Sequence, residues 1–322
     1  NMPPYPHLAK STIDFAETAA KMRALRNVGV PYKPEQIQSS EQDAQAAASV
    51  GDSTAPHTPA RVTAADQLLV SATAERTVDA WTGEGSFGGT AVGVAWTESK
   101  IHGSTKAFVG ENTRVGELGV GGVHVTSTAN NSAVAEAVAL SGGLGIAASG
   151  TVAKAVATPT IEAYVGRDAD VNVQDGLVIK SDSTDSATAK TDIVNVAIGV
   201  SIGELDSEAV AGGRTKAYLD DGATVEAGEL SVEAIASDYA LATKDLDIGA
   251  ALSFSIDSEA IAARASIPNN PETPTEITAG IGKNAFVDVD RGVTVLALSS
   301  TDADAKSWGS SGGGVNIHTS IA

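Results

Sequence analysis

A fourfold internal repeat constrains the fold of this chain more than any other feature of its sequence. Segments 105–125, 161–181, 215–234 and 279–297 each predict a short strand, a turn at Gly or Asp, a second strand, a Gly turn and an alternating strand. A shorter, partial copy precedes them at 62–75. Because each unit would expose unpaired strand edges and half-buried faces, neighbouring units are expected to stack on one another.

The first turn of each unit is anchored by an apolar residue that is followed by Gly or Asp. The anchors are Val109 and Gly110, Val165 and Gly166, Leu219 and Asp220, and Ile281 and Gly282. The apolar members lie 56, 54 and 62 positions apart along the chain. This period is too long for one rung of a narrow β-helix, so it indicates two or more rungs, or one rung with an additional hairpin.

Composition favours thin layers of strand over a compact core with large side chains. Only 4% of the residues are aromatic, and Gly, Ala, Val, Ser, Thr and Asp abound. Helical periodicity is absent after residue 60, which excludes an α/β fold. We therefore predict a mainly-β protein built as a parallel β-helix (β-solenoid) over 61–322. The alternative is an array of antiparallel Ig-like sandwiches, whose repeats would be longer and have larger cores.

The first 47 residues have a different composition. They hold both methionines, Met2 and Met22, and only one of the 33 glycines. The stretch from Ser11 to Val30 predicts a helix, with acidic residues in its first turns and Gly and Pro at its end. A second helix is predicted to begin near Pro34. The sequence thus divides into a short helical segment (1–47), a polar linker (48–60) and the repetitive β-solenoid (61–322).

Two short motifs in the first segment resemble a known family. NMPPYPHL (1–8), followed by KMRALRNVGVPYKPEQI (21–37), is similar to the C-terminal part of the mono-haem cytochrome c subunit of C-family (cbb-type) haem–copper oxidases. The resemblance implies that Met2 is an axial ligand of haem c, and that the segment lies at the periplasmic face of the inner membrane. The chain has no Cys and so lacks the C-x-x-C-H that attaches the haem, and haem c is not expected to bind.

The remainder resembles, in style more than in motif, the β-helical repeats of large bacterial surface adhesins of the filamentous-haemagglutinin-like and leukotoxin types. The resemblance implies a structural or adhesive stalk segment of a bacterial surface or secreted protein, located outside the cell and without catalysis. Its expected partners are host or matrix glycans and proteins, or further copies through self-association along the solenoid. The alternatives are an electron-transfer role inherited with the first segment and a carbohydrate-active β-helix.

Charge and hydropathy narrow the expected partners. The formal net charge is −19, and the excess of acids lies after residue 47. Such a surface repels nucleic acid and anionic membranes. No run of apolar residues is long enough to span a membrane as a helix.

Acidic pairs near the turns are the candidates for a metal site. Clustered carboxylates suit Ca²⁺, although no calcium-loop motif is present and Asp is also a common turn residue. The candidate ligands are Asp168, Asp170, Asp220, Asp221, Asp288 and Asp290. A G-x-G-x-x-G match begins at Gly83, but a strand-like stretch follows it where a dinucleotide site would need a helix. We predict no catalytic residues.

Overall fold

A computed structural model describes residues 36–50, 60–63, 65–255, 260–262, 275–312 and 315–317. The predicted helix over 11–30 and Met2 lie outside these residues. The described strands form one sheet of thirteen strands, and their pairings are all parallel. They are β1 (Gln36–Val50), β2 (Arg61–Val62), β3 (Ala65–Val109), β4 (Arg114–Ala157), β5 (Thr160–Val165), β6 (Asp170–Val173), β7 (Gly176–Ala211), β8 (Arg214–Leu219), β9 (Thr224–Ser255), β10 (Ala260–Ala262), β11 (Glu276–Ile281), β12 (Phe286–Gly312) and β13 (Val315–Ile317).

The prediction of a mainly-β parallel solenoid is confirmed, and the antiparallel sandwich alternative is wrong. The described residues from 67 onward wind through five stacked coils, and each coil pairs in register with the next; β1 and β2 belong to a partial coil that precedes coil 1. Coil 1 comprises 67–121, coil 2 comprises 122–175, coil 3 comprises 176–228, coil 4 comprises 229–255, 260–262 and 275–291, and coil 5 comprises 292–312 and 315–317. Equivalent residues of successive coils therefore form columns with the spacing of neighbouring strands, about 4.8 Å.

Within a coil, the long strand folds back over itself to make a flat arm of two layers. Ser207 Oγ donates a hydrogen bond to the carbonyl of Ala189 at 2.9 Å, and Asn195 Nδ2 donates to the carbonyl of Ile202 at 2.7 Å. Both bonds join residues on opposite sides of a bend after Ala197. The register shifts at this bend between coils 3 and 4, and at the equivalent bend between coils 1 and 2. One bend thus gives each coil an outgoing and a returning segment, which enclose the core between them.

The size of the core residues sets the thickness of the arm. Near the corner turns the core consists of Val, Leu and Ile, for example Val171, Leu177 and Ile179, all fully buried. Further along the arm the buried residues are mostly Ala, such as Ala135 and Ala189. Two layers that meet through alanine approach more closely than layers that meet through branched side chains. The coil is therefore wide at the corner and narrow in the arm.

The second predicted helix is wrong, because Gln36–Val50 forms strand β1. This strand pairs in parallel with the returning segment of coil 1, from Gln36 opposite Ala95 to Val50 opposite Val109. Ala48 and Val50 are partly buried against the Val-rich core. The Ala, Gln and Glu residues of this stretch favour a helix, but pairing along an open edge outweighs that modest preference. The strand crosses the predicted boundary at 47 and runs into the predicted linker.

Candidate functional sites

The predicted turn anchors lie in one column at the corner of the solenoid. Val109, Val165, Leu219 and Ile281 pair in register through β3, β5, β8 and β11. The residue after each anchor donates its amide to the anchor one coil earlier, as Gly166 does to the carbonyl of Val109 at 2.8 Å. The anchors therefore hold successive corners at one level and provide no side chain for chemistry.

The turn itself repeats a left-handed residue two positions after each Gly or Asp. Asn112, Asp168 and Asn284 have φ of 56°, 54° and 57°, and Gly222 has φ of 72°. Asn and Asp tolerate this conformation better than other side chains do, and Gly adopts it freely. Of the proposed calcium ligands, Asp168 is therefore one that backbone geometry explains without a metal.

The other proposed calcium ligands are spread along the corner. Asp221 Oδ1 accepts a hydrogen bond from the amide of Lys283 at 2.7 Å, and Asp220 Oδ1 accepts one from the amide of Asp221 at 2.8 Å. Asp170 lies at the start of β6, whereas Asp288 precedes a register shift in β12 and Asp290 lies within it. Across the part of the chain that the structure describes, no three His, Cys, Asp or Glu side chains converge as metal ligands. The calcium site stays a prediction.

A buried polar column crosses the alanine core of the arm, and sequence reasoning missed it. Arg76, Asn131, Asp185 and Asp238 occupy the same position in coils 1 to 4 and are all at most 3% exposed. Arg76 donates to Asn131 Oδ1 at 3.0 Å and to Thr105 Oγ1 at 2.9 Å. Asn131 Nδ2 in turn donates to Asp185 Oδ1 at 2.7 Å. A chain of hydrogen bonds thus links the guanidinium of coil 1 to the carboxyl of coil 3.

The two carboxyls at the end of this column share a site that favours one proton. Burial, and then the charge of Asp238, raises the pKa of Asp185 from 3.8 to about 8, while Arg76 opposes the shift. Burial raises the pKa of Asp238 to about 6, and a hydrogen bond with Asp185 opposes that shift. No donor among the described residues, carboxyl protons aside, reaches the oxygens of Asp238. A proton on the Asp185 carboxyl provides such a donor. The pair is therefore held as a neutral Asp185 carboxylic acid that donates a hydrogen bond to the Asp238 carboxylate.

A second buried charge lies nearer the bend. Lys244 is 1% exposed, and Asp206 lies close enough for the lysine charge to oppose a rise in the pKa of that carboxyl. Burial is the larger effect and raises the pKa of Asp206 to about 7. The burial of Lys244 and Asp206 cannot be predicted from the local sequence, because both lie in polar stretches that predict solvated strand faces.

Comparison with known proteins gives one match, and it is confined to the beginning of the chain. Residues 1–75 match the family model described as cytochrome C oxidase, mono-heme subunit/FixO. The likeness to the mono-haem oxidase subunit is thereby shown for this segment. The matched residues include β1, β2 and the first part of β3, so the FixO-like segment runs into the sheet of the solenoid.

The match covers less than a quarter of the 322 residues, and most of the solenoid lies after it. No curated protein and no solved structure matches the chain. Among the residues that the structure describes, no helix has the length and apolarity needed to cross a membrane.

Proposed function

We propose that this chain is a structural stalk segment of a large bacterial surface or secreted repeat protein, with an adhesive role and no catalysis. The observation that carries the proposal is the in-register stacking of successive coils. Each coil buries its core against the next, as Val171 does between Val115 and Val225. Such a stack extends by addition of coils without any change in its cross-section, which suits a spacer.

The adhesive part of the proposal is supported by the outer surface. The net charge of −19 lies mainly on the solenoid, whose outer face also bears ordered rows such as Phe108, Tyr164 and Tyr218. These rings stack with centroids 5.0 Å apart and planes 4° from parallel. Regular rows of polar and aromatic groups are suited to binding extended partners, such as matrix glycans or fibrous host proteins, outside the cell.

The experiment is a binding screen of the 322-residue chain on immobilised glycans and matrix proteins. We expect binding to at least one of them, a strand-dominated far-UV circular dichroism spectrum and no release of sugars from polysaccharides. A variant that replaces Tyr164 and Tyr218 with Ser disrupts the aromatic row, leaves the buried core intact and should bind less. An absence of binding to every surface, or turnover of a polysaccharide, would contradict the proposal.

The FixO match supports a second candidate, an electron-transfer role as a relative of the oxidase subunit. In this candidate Met2 would serve as a haem ligand, and the segment would act at the periplasmic face of the inner membrane. The test is expression together with the haem-maturation machinery, followed by an absorbance spectrum. A Soret band that Met2→Ala shifts would favour electron transfer, whereas the stalk proposal expects a flat spectrum because the chain has no Cys.

A further inference from the structure

The arm tips of the first three coils carry no charged residue. The tips comprise 85–97 in coil 1, 137–153 in coil 2 and 193–203 in coil 3, and none of these stretches contains Asp, Glu, Lys, Arg or His. The three stretches stack in register around the bends. In coil 4, Asp245 and Asp247 approach the bend, so the uncharged surface is confined to coils 1 to 3. A protein with a net charge of −19 thus has one edge without charge.

At these tips polar side chains are buried while several large apolar side chains are exposed. The interior contains a hydrogen-bonded cluster in which Ser141 Oγ and Ser149 Oγ each donate to Asn195 Oδ1 at 2.7 Å. All three residues are buried. Most of the large apolar side chains point outward, although Ile193 is fully buried in a small apolar cluster with Ala139, Leu205 and Leu246. The strongly exposed ones are Phe87 at 71%, Leu144 at 71%, Ile198 at 70%, Val196 at 58% and Leu140 at 40%. A surface that faces water would place these groups inside and the polar ones outside.

The apolar surface covers the edge of the arm and continues onto both outer faces. Leu140 and Val196 lie on the outgoing side of the bends, whereas Val94 and Ile202 lie, partly exposed, on the returning side. A folded protein partner normally covers only one face of such a projecting arm tip. A fluid apolar medium surrounds both faces and the edge at once.

Two tryptophans lie at the base of the apolar tip in coil 1, at the level of Lys190 and Asp206 in coil 3. Trp81 lies on the outgoing face and is 59% exposed, and Trp96 lies on the returning face. The residue after Trp81, Thr82, donates to the carbonyl of Trp96 at 3.3 Å, so the two rings lie at the same level on opposite faces. The charged residues of coil 1 nearest the bend are Glu84, which lies between Trp81 and the bend, and Glu98, which follows Trp96. Trp is favoured at the level where lipid headgroups meet acyl chains.

From these observations we infer that the arm tips of coils 1 to 3 insert into one leaflet of a zwitterionic lipid bilayer. The outward-facing apolar stretch of coil 3 extends from the bend to Asp192 on one side and Glu204 on the other. At about 3.3 Å per residue this is roughly 15 Å, which is half of a hydrocarbon core of about 30 Å. The acidic body remains in water, and its charge disfavours anionic lipids. The insertion is confined to one leaflet and requires no membrane-spanning segment.

The test uses vesicles of phosphatidylcholine and the full 322-residue chain in a flotation assay, with tryptophan fluorescence as a second readout. The tip variant combines Phe87→Ser, Leu144→Ser and Ile198→Ser. The matched control combines Leu69→Ser, Phe286→Ser and Leu298→Ser, which removes three other exposed apolar side chains away from the tips. Leu144→Ser alone serves as a milder variant, and far-UV circular dichroism checks that every variant folds.

We expect the chain and the control to float with the vesicles and their tryptophan emission to shift to the blue. The tip variant should partition at least tenfold less, because three apolar side chains no longer leave water. Trp96→Phe should reduce the emission shift, and vesicles with phosphatidylserine should bind less protein. Failure of the chain to float, or equal flotation of the tip variant, would overturn the inference. If only the mass of the lipid-free chain depends on the tip residues, a second copy covers the surface and the lipid inference is wrong.

Discussion

The carboxyl of Asp185 in coil 3 lies next to that of Asp238 in coil 4, inside the alanine core and away from water. Two neighbouring acids in one column are unusual for a solenoid interior, because stacking places like charges about 4.8 Å apart along the axis. Arg76 stands two coils from Asp185 and is connected to it through Asn131. In this column, the positive charge of Arg76 therefore offsets buried negative charge at one end, and a proton shared by Asp185 and Asp238 does so at the other.

The stability of the chain should fall as the pH rises from about 4 to about 8. Both carboxyls have folded-state pKa values above their ordinary value of 3.8, about 8 for Asp185 and about 6 for Asp238. The folded state therefore binds more protons than the unfolded state in this range, and raising the pH favours unfolding. Urea denaturation between pH 4 and pH 9 measures the effect. The variant Asp238→Asn should reduce the slope of the profile, to which the buried Asp206 with its pKa of about 7 also contributes, and raise the free energy of unfolding at pH 8 by on the order of 2 kcal/mol.

The matched control for this prediction is Asp182→Asn, which lies in the same strand but faces outward beside Lys180. It should leave the pH profile unchanged. A wild-type profile that is flat or rises with pH would show that the pair carries no shared proton.

Arg76 should be essential for the stability of coils 1 and 2. Its guanidinium bonds to Asn131, to Thr105 and to the carbonyl of Ser104, the last two at 2.9 and 3.0 Å. Arg76→Leu leaves these buried groups unpaired and should lower the free energy of unfolding by about 3–5 kcal/mol. Arg76→Lys keeps the charge without the planar fork and should cost less. Lys180→Leu removes a partly exposed ion pair and should cost less than about 1 kcal/mol, measured by the same denaturation.

The wide and narrow parts of the core should respond differently to side-chain size. Ile179→Ala leaves a cavity in the Val-rich corner, and we expect a loss of about 2–5 kcal/mol. Ala189→Leu forces a branched side chain between two layers that meet at Ala, and should cost about 1–3 kcal/mol or more. Thermal unfolding checks both. An unchanged melting temperature for Ala189→Leu would show that the two layers of the arm are not closely packed at this position.

The aromatic row on the outer face should accept a fourth ring. Gly280 follows Phe108, Tyr164 and Tyr218 in the same column, and a Cβ at its position would touch no atom within 4 Å. Gly280→Tyr should therefore stack on Tyr218 and stabilise the chain by about 0.5–1.5 kcal/mol. Gly280→Ser is the control, since it adds a side chain without a ring. Equal stability of the two variants in urea would argue against stacking as the source of the gain.

The stacking of the repeats could be predicted from the sequence because it depends on local spacing. An apolar residue before Gly or Asp marks each corner, and the corners align once Val109 is placed beside Val165. The polar column could not be predicted in the same way. The surroundings of Asp185, SDSTDSAT, alternate like a solvated strand, and its burial depends on which residues lie opposite it across the fold-back. That relation follows from the position of the bend, which Gly-rich sequence alone does not fix.

The strand at Gln36–Val50 could not be predicted from its own residues. Its composition favours a helix, and only the presence of an open edge on β3 makes a strand the better state. The exposed apolar residues of the arm tips belong to the same class, because their alternation with small residues predicts a strand but not which face is inside.

Columns of equivalent residues also set rules for how such a chain can grow by duplication. A copied coil arrives with side chains that already fit its neighbours, since Val stacks on Val and Ala on Ala, and most of the core is indifferent to copy number. The column of Arg76, Asn131, Asp185 and Asp238, in contrast, depends on how many coils there are and on their order. A second copy of coil 3 would add a third buried acid to the column without a further cation. The column therefore restricts which coils can be duplicated and in what order they can follow one another.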